Sequence, residues 1–236
     1  MPCVCGLRPT RVARSEPGLI KWSWAGGGVL MEHQMMNMFA VPLYRASLGR
    51  AFTDEEMQFF KAELSNPVAA IANYASPSKK VLDAGPMQAI RTALQAHLDE
   101  FFRITFNTTN KVSLQITQSW LTRSQQGDSH HTHTHPNSVV SGVLYINLAP
   151  RDGINFYRNE DNLWYELIRE QDSYYNATRY FVQTSIGDII LFPSHIRHGV
   201  GEVTENIDRV SLSFNTFFSG ELGREEFSNQ LNIRLV

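Results

Sequence analysis

The sequence predicts a mainly β domain of the sandwich or jelly-roll class, flanked on its N-terminal side by helices. Three features of the 236 residues point there. After Thr105 the apolar pattern alternates with period two in one short segment after another. Those segments are rich in Val, Ile, Phe and Tyr and are punctuated by Gly, Asn and Asp. No helix-sized segment alternates with them, as a doubly wound parallel sheet would require.

In chain order, residues 1–37 are set apart as an N-terminal extension, expected to be poorly ordered. "LRPTRVARSEPGLIKWSWAGGG" (7–28) is basic and poor in acids, as transit peptides are, but it lacks the apolar core of a secretion signal. The plainer reading is an extension ahead of a later start at Met31, Met36 or Met38. Residues 38–236 then form one domain. "FAVPLYRASL" (39–48) alternates loosely and reads as a first strand. "TDEEMQFFKAEL" (53–64) reads as a helix, with Thr53 and Glu56 as a capping box, Met57, Phe60 and Leu64 on one face, and Asn66-Pro67 as the stop. A second helix is expected over 86–104. It starts near Pro86 and carries the stripe Ile90, Leu94, Leu98 and Phe101. Strands are expected over 111–122, 138–148, 154–157, 180–185, 188–193 and 209–218.

Composition narrows the function classes. The chain is 42% hydrophobic and 19% charged, with a formal net charge of −2, so nucleic acid is not indicated as a partner. No apolar run reaches 18 residues, so no membrane helix is expected. Cys3 and Cys5, the only cysteines, make neither a disulfide framework nor a four-cysteine zinc site, which suits a reducing, cytoplasmic setting.

The histidines are unevenly placed. Four of the eight fall within "HHTHTH" (130–135), directly before a predicted strand. In an extended segment His133 and His135 share a face, with Cα atoms roughly 6.5 Å apart, close enough to converge on one metal ion. A pair shifted by two, His131 and His133, would keep the same face. His198, just past the strand 188–193, is a candidate third ligand. Arg209 opens the last strand with Ser211 and Ser213 on its face, while Val210, Leu212 and Phe214 take the other. That parity points Arg209 either to solvent or into a polar interior.

Taken together, "HTHPNSVVSGVLY" (133–145), "FPSHIRHGV" (192–200) and "RVSLSFN" (209–215) resemble the 2-oxoglutarate- and Fe(II)-dependent oxygenase superfamily. The nearest likeness is to an uncharacterised subgroup with an HxHPxS, FPSxxxH and RxS pattern, and it extends over roughly residues 38–236. The resemblance implies a double-stranded β-helix with Fe(II) at one mouth, held by His133, His135 and the distal His198. It implies that Arg209 clamps the distal carboxylate of 2-oxoglutarate, helped by Ser211 and by the hydroxyl of Tyr145. Arginine suits that place because its planar fork pairs with a carboxylate through two bonds. His135 is a departure, since most of the superfamily has a carboxylate there. His130, His131 and His195 are left as rim or supporting residues. The implied activity is a hydroxylase. It would couple decarboxylation of 2-oxoglutarate, with dioxygen, to C–H oxidation of a substrate that the sequence does not name.

Two other readings compete. One is a cupin-type enzyme whose three histidines bind metal without 2-oxoglutarate. The other is a non-catalytic jelly-roll binding protein. The first has no need of a buried cation at Arg209, and the second predicts that the three histidines do not converge.

Overall fold

The computed structural model describes residues 19–24, 31–36, 38–158 and 168–235. The chain divides into two compact units, one up to Val41 and one from Pro42. In the first unit, β1 (Leu19–Trp24) and β2 (Met31–Met36) form an antiparallel ribbon, with Leu19 opposite Met36 and Trp24 opposite Met31. This ribbon falls within the stretch 1–37 read as an extension. The rest of that stretch lies outside the described residues, as do 159–167.

The second unit begins with β3 (Tyr44–Ser47) and α1 (Asp54–Glu63), followed by β4 (Val68–Ala70), β5 (Asn73–Ala75) and α2 (Gln88–Phe106). Next come β6 (Val112–Ser124), β7 (His130–His133), β8 (Val140–Asn147), β9 (Gly153–Tyr157) and β10 (Arg179–Gln183). The unit ends with β11 (Asp188–Pro193), β12 (Arg197–Val200), β13 (Arg209–Leu222) and β14 (Leu231–Ile233). The large sheet runs β3-β11-β8-β13-β6-β5-β4, with β14 also paired to β13. The small sheet runs β10-β9-β12-β7. Every strand pair is antiparallel. Two facing antiparallel sheets with this crossover order are a jelly roll, the fold class the strand pattern predicts.

The large sheet is covered on both faces, which explains why β8 is buried along nearly its whole length. Leu144 and Ile146 of β8, Ile189 and Leu191 of β11, and Leu212 and Phe214 of β13 face the helices. There they pack with Phe60, Leu82, Ile90, Leu94, Leu98 and Phe101. The alternate residues Val143, Tyr145, Ile190 and Phe192 face the small sheet and pack with Ile154, Phe156 and Val182. The helix-facing layer is mainly apolar, with Ser119 accepting from the Leu82 N–H within it, while the layer between the sheets holds more polar side chains.

Both helices form where the sequence places them. Thr53 caps α1 in a reciprocal capping box with Glu56, and Arg50 pairs with the buried Glu56 carboxylate at 2.6 and 2.8 Å. The α2 stripe of Ile90, Leu94, Leu98 and Phe101 is buried throughout. Pro86 sits in a 3-10 turn over Gly85–Met87, so the α-helix starts two residues beyond the proline. It closes on Asn107, at φ 40°. Among the described residues, no helix is long and apolar enough to cross a membrane.

Candidate metal centre

The small sheet carries the histidines. β7 pairs with β12 so that His133 stands directly opposite His198. A side chain at Gly199 would bring a Cβ to 2.8 Å from the His130 carbonyl oxygen, so glycine lets the two strands approach this closely. The register then slips, with two steps on β12 matching three on β7. That irregularity alters the expected alternation: His130 and His133 both line the pocket described below, while His131 is exposed. His135 follows β7 in a loop tied down by its backbone N–H, which donates to the Ser194 carbonyl at 3.0 Å.

His133, His135 and His198 offer ring nitrogens that all lie within 4.8 Å of one another. The Nε2 atoms of His135 and His198 are 3.2 Å apart. Two nitrogens bound to one metal at ~2.0–2.1 Å, at angles between octahedral and tetrahedral, would sit about 2.8–3.4 Å apart. His130, His131 and His133 make a second cluster of the same span, which shares His133 but excludes His198.

Hydrogen bonds orient two of the three rings. His133 Nδ1 faces the His131 carbonyl at 2.8 Å, and His198 Nδ1 faces the Ile196 carbonyl at 2.9 Å. A carbonyl only accepts, so each Nδ1 carries the proton and each Nε2 presents its lone pair. Burial holds the imidazoles neutral. It pushes His135 down to about 3 and His198 to about 4, with the charge of neighbouring rings adding to the effect in both. His133 is lowered as well, chiefly by burial. Neutral imidazole is the form that binds a metal.

A buried polar chain fixes the loop that carries His135. Ser194 Oγ contacts Ser138 Oγ at 2.7 Å and Ser141 Oγ at 2.8 Å. Ser141 donates to Asn215 Oδ1 at 3.0 Å, and Asn215 donates to Gln118 Oε1 at 3.2 Å. The serines of "HPNSVVSG", the serine of "FPS" and the asparagine of "SFN" are therefore one structure, joining the histidine loop to β11 and β13.

The predicted cosubstrate residues line the same pocket as the three histidines: Tyr145, Arg209 and Ser211, with Trp120 and Ser213 beside them. The pocket holds about 440 Å³ of empty space, counting its open mouth. Arg209 points inward and is only 2% exposed. Its Nε donates to both carboxylate oxygens of Asp152, at 2.9 and 3.1 Å, and its Nη2 to the Gly153 carbonyl at 3.4 Å. Nη1 has no hydrogen-bond partner among the described residues. The Tyr145 hydroxyl is buried and makes no hydrogen bond of good geometry, although the equally unpartnered Thr184 hydroxyl is near enough to act on it; the Arg209 guanidinium lies 5.7 Å from its ring, and burial raises the phenol's pKa. An orphaned hydroxyl beside a guanidinium with free donors suits an anionic ligand.

Residues 118–215 match the family model described as "Putative 2OG-Fe(II) oxygenase". Over this segment, less than half of the chain, the sequence is similar to that family. The matched segment runs from β6 to β13 and takes in all six predicted site residues. Among solved structures, an oxidoreductase of the 2OG-Fe(II) oxygenase family from Burkholderia pseudomallei superposes with a TM-score of 0.50 at 15% identity, covering 74% of this chain and 83% of that one. The non-heme alpha ketoglutarate dependent epimerase SnoN from nogalamycin biosynthesis superposes with a TM-score of 0.52 at 10% identity, covering 76% and 81%. At these identities the likeness is one of fold. No curated protein matches the chain significantly.

Sequence reasoning missed Asp152 and the role of the serines. Ser138, Ser141, Ser194 and Asn215 were within the quoted motifs, so their pattern was visible although their contacts were not. Asp152 had no such signal, since an acid in "PRDG" reads as an ordinary solvated turn. His195 is exposed and does not line the pocket.

Proposed function

We propose that this chain is a 2OG-Fe(II) oxygenase, a hydroxylase in which His133, His135 and His198 hold Fe(II), and Arg209, Ser211 and Tyr145 bind the distal end of 2-oxoglutarate. The observation that carries the reading is the shared pocket: three neutral imidazoles converge at one place, and a buried guanidinium with free donors lies in the same wall. A facial set of three protein ligands leaves metal positions open for cosubstrate and dioxygen. A bound Fe(II) would supply dioxygen activation: dioxygen is the oxidant, one of its atoms ending in the succinate formed as 2-oxoglutarate loses CO2 and the other in the oxidised C–H bond of the substrate.

The residues of this chain do the rest. His131 and Ile196 carbonyls keep two imidazoles in the ligating tautomer. The serine chain holds the loop of the third. Arg209 and Tyr145 supply donors for a carboxylate. Phe192, Ile154 and Val143 give the pocket an apolar wall that limits water. A ferrous site in a chain with two cysteines suits the reducing cytoplasm.

The Arg209–Asp152 pair is the one observation that favours the cupin-type reading, because Arg209 already has a partner. Against that, Asp152 engages only Nε and leaves Nη1 and the Tyr145 hydroxyl unmatched. Anaerobic titration of the metal-loaded protein with 2-oxoglutarate separates the readings. The hydroxylase reading expects saturable binding that Arg209→Ala weakens by about ten- to a hundredfold. Binding that is equal in both proteins, or absent from both, would favour the cupin-type enzyme.

A further inference from the structure

Asp152 is a second charge at this site, its side chain 10% exposed; it pairs with Arg209 without itself lining the histidine pocket. Its carboxylate is held by design of the local chain. Arg151 turns the backbone at φ 68°, and the Gly153 N–H donates to Asp152 Oδ1. Gly153 lies so close to β10 that a Cβ would meet the Val182 carbonyl oxygen at 2.1 Å. The Asp152 carbonyl accepts from the Thr184 N–H at 2.9 Å. These contacts set the carboxylate against Arg209 Nε, with side-chain exposures of 10% and 3%.

The three candidate ligands bring no negative charge to the metal, because position 135 is a histidine. The two charges of a divalent ion are then matched by the two of 2-oxoglutarate. With Arg209 buried in the same pocket, the set of metal, cosubstrate and guanidinium would carry one positive charge in excess, and an uncompensated buried charge is costly. Asp152 supplies the missing negative charge at the arginine.

Resting on the function proposed above, we propose that Asp152 is the charge-balancing residue of this site: it carries, on Arg209, the negative charge that a carboxylate at position 135 would otherwise carry on the metal. Asp152 also orients the guanidinium, occupying Nε so that the Nη side is presented to the incoming carboxylate. With His135 neutral and Asp152 ionised, the pocket has the charge to accept a dianion and no more.

The test is a double-mutant cycle on the affinity for 2-oxoglutarate, measured anaerobically with Co(II) in place of iron. His135→Asp adds a second negative charge and should weaken 2-oxoglutarate about tenfold. Adding Asp152→Asn removes the excess and should restore most of that loss. If Asp152→Asn weakens binding further in the His135→Asp protein, Asp152 is only a support for Arg209 and the proposal is overturned. Should His135→Asp fail to fold or to take up metal, the comparison moves to ligand charge in the otherwise unchanged protein. The preference for 2-oxoglutarate over 2-oxoglutaramate, whose distal carboxylate is an amide, should rise severalfold in Asp152→Asn. An unchanged or reduced preference would overturn the proposal. The underlying functional reading stands or falls separately, on whether the unsubstituted protein binds 2-oxoglutarate at all.

Discussion

At His198 three requirements meet. It faces His133 across the β7–β12 pair, its Nδ1 is committed to the Ile196 carbonyl, and its Nε2 is 3.2 Å from that of His135. Uptake of close to one Fe(II) per chain is expected, and His198→Ala should abolish tight uptake. His135→Ala should weaken it, whereas His131→Ala should change it little, because His131 is exposed and contributes its backbone carbonyl. Iron titration of the three variants checks this ranking, and undiminished uptake in His135→Ala would shift the centre to the His130, His131 and His133 cluster. The pH dependence follows from the same residues. His135 and His198 have folded values of about 3 and 4, well below the ordinary 6.5. Below pH 6.5 the unfolded chain therefore binds protons that the folded chain refuses. Stability of the metal-free protein should fall as the pH drops from about 6.5 towards 4, by about 1.4 kcal/mol per pH unit for each such imidazole, and be flat above it. Chemical denaturation at stepped pH measures the slope, and loss of stability confined to alkaline pH would contradict it.

Among the elements, the alternating strands were legible in the sequence, the five-residue β9 and β10 included, whereas the four-residue β7 and β12 were not. β6, β8, β11 and β13 show the twofold pattern plainly, and the shared face it predicts for Arg209, Ser211 and Ser213 is the one that lines the pocket. β7 and β12 have four residues each, and β7 is three-quarters histidine, so neither has an apolar alternation to read. The slip between them could not be read either, because it arises from close packing at Gly199 and not from propensity. The buried serine chain is a second element-scale feature that contact alone reveals. Ser194→Ala would leave Ser138 and Ser141 short of a buried partner, at a cost of about 1–3 kcal/mol, and would loosen the His135 loop. A lower thermal midpoint together with weaker iron binding is expected. A lower midpoint with unchanged iron affinity would separate the chain from the site. On the opposite face of the large sheet, Gly142 lies under the Phe214 ring, where a Cβ would come within 2.1 Å. Gly142→Ala should destabilise the protein through overpacking, by about 1–3 kcal/mol by chemical denaturation.

For the whole molecule, one face of the large sheet serves stability and the other serves chemistry. Helices seal the first with an apolar layer, and the small sheet encloses the second around polar side chains. That division explains why a buried arginine, a buried phenol and three neutral imidazoles can share one pocket without breaking the core. The proposed placement of metal and cosubstrate in that pocket rests on this division. Its most direct test is a crystal structure of the protein loaded anaerobically with Fe(II) and 2-oxoglutarate, with the iron located by anomalous scattering. One iron peak is expected within bonding distance of Nε2 of His133, His135 and His198, with the distal carboxylate on the Nη side of Arg209 and Asp152 still on Nε. Iron held by His130, His131 and His133, or 2-oxoglutarate that leaves Arg209 untouched, would contradict it.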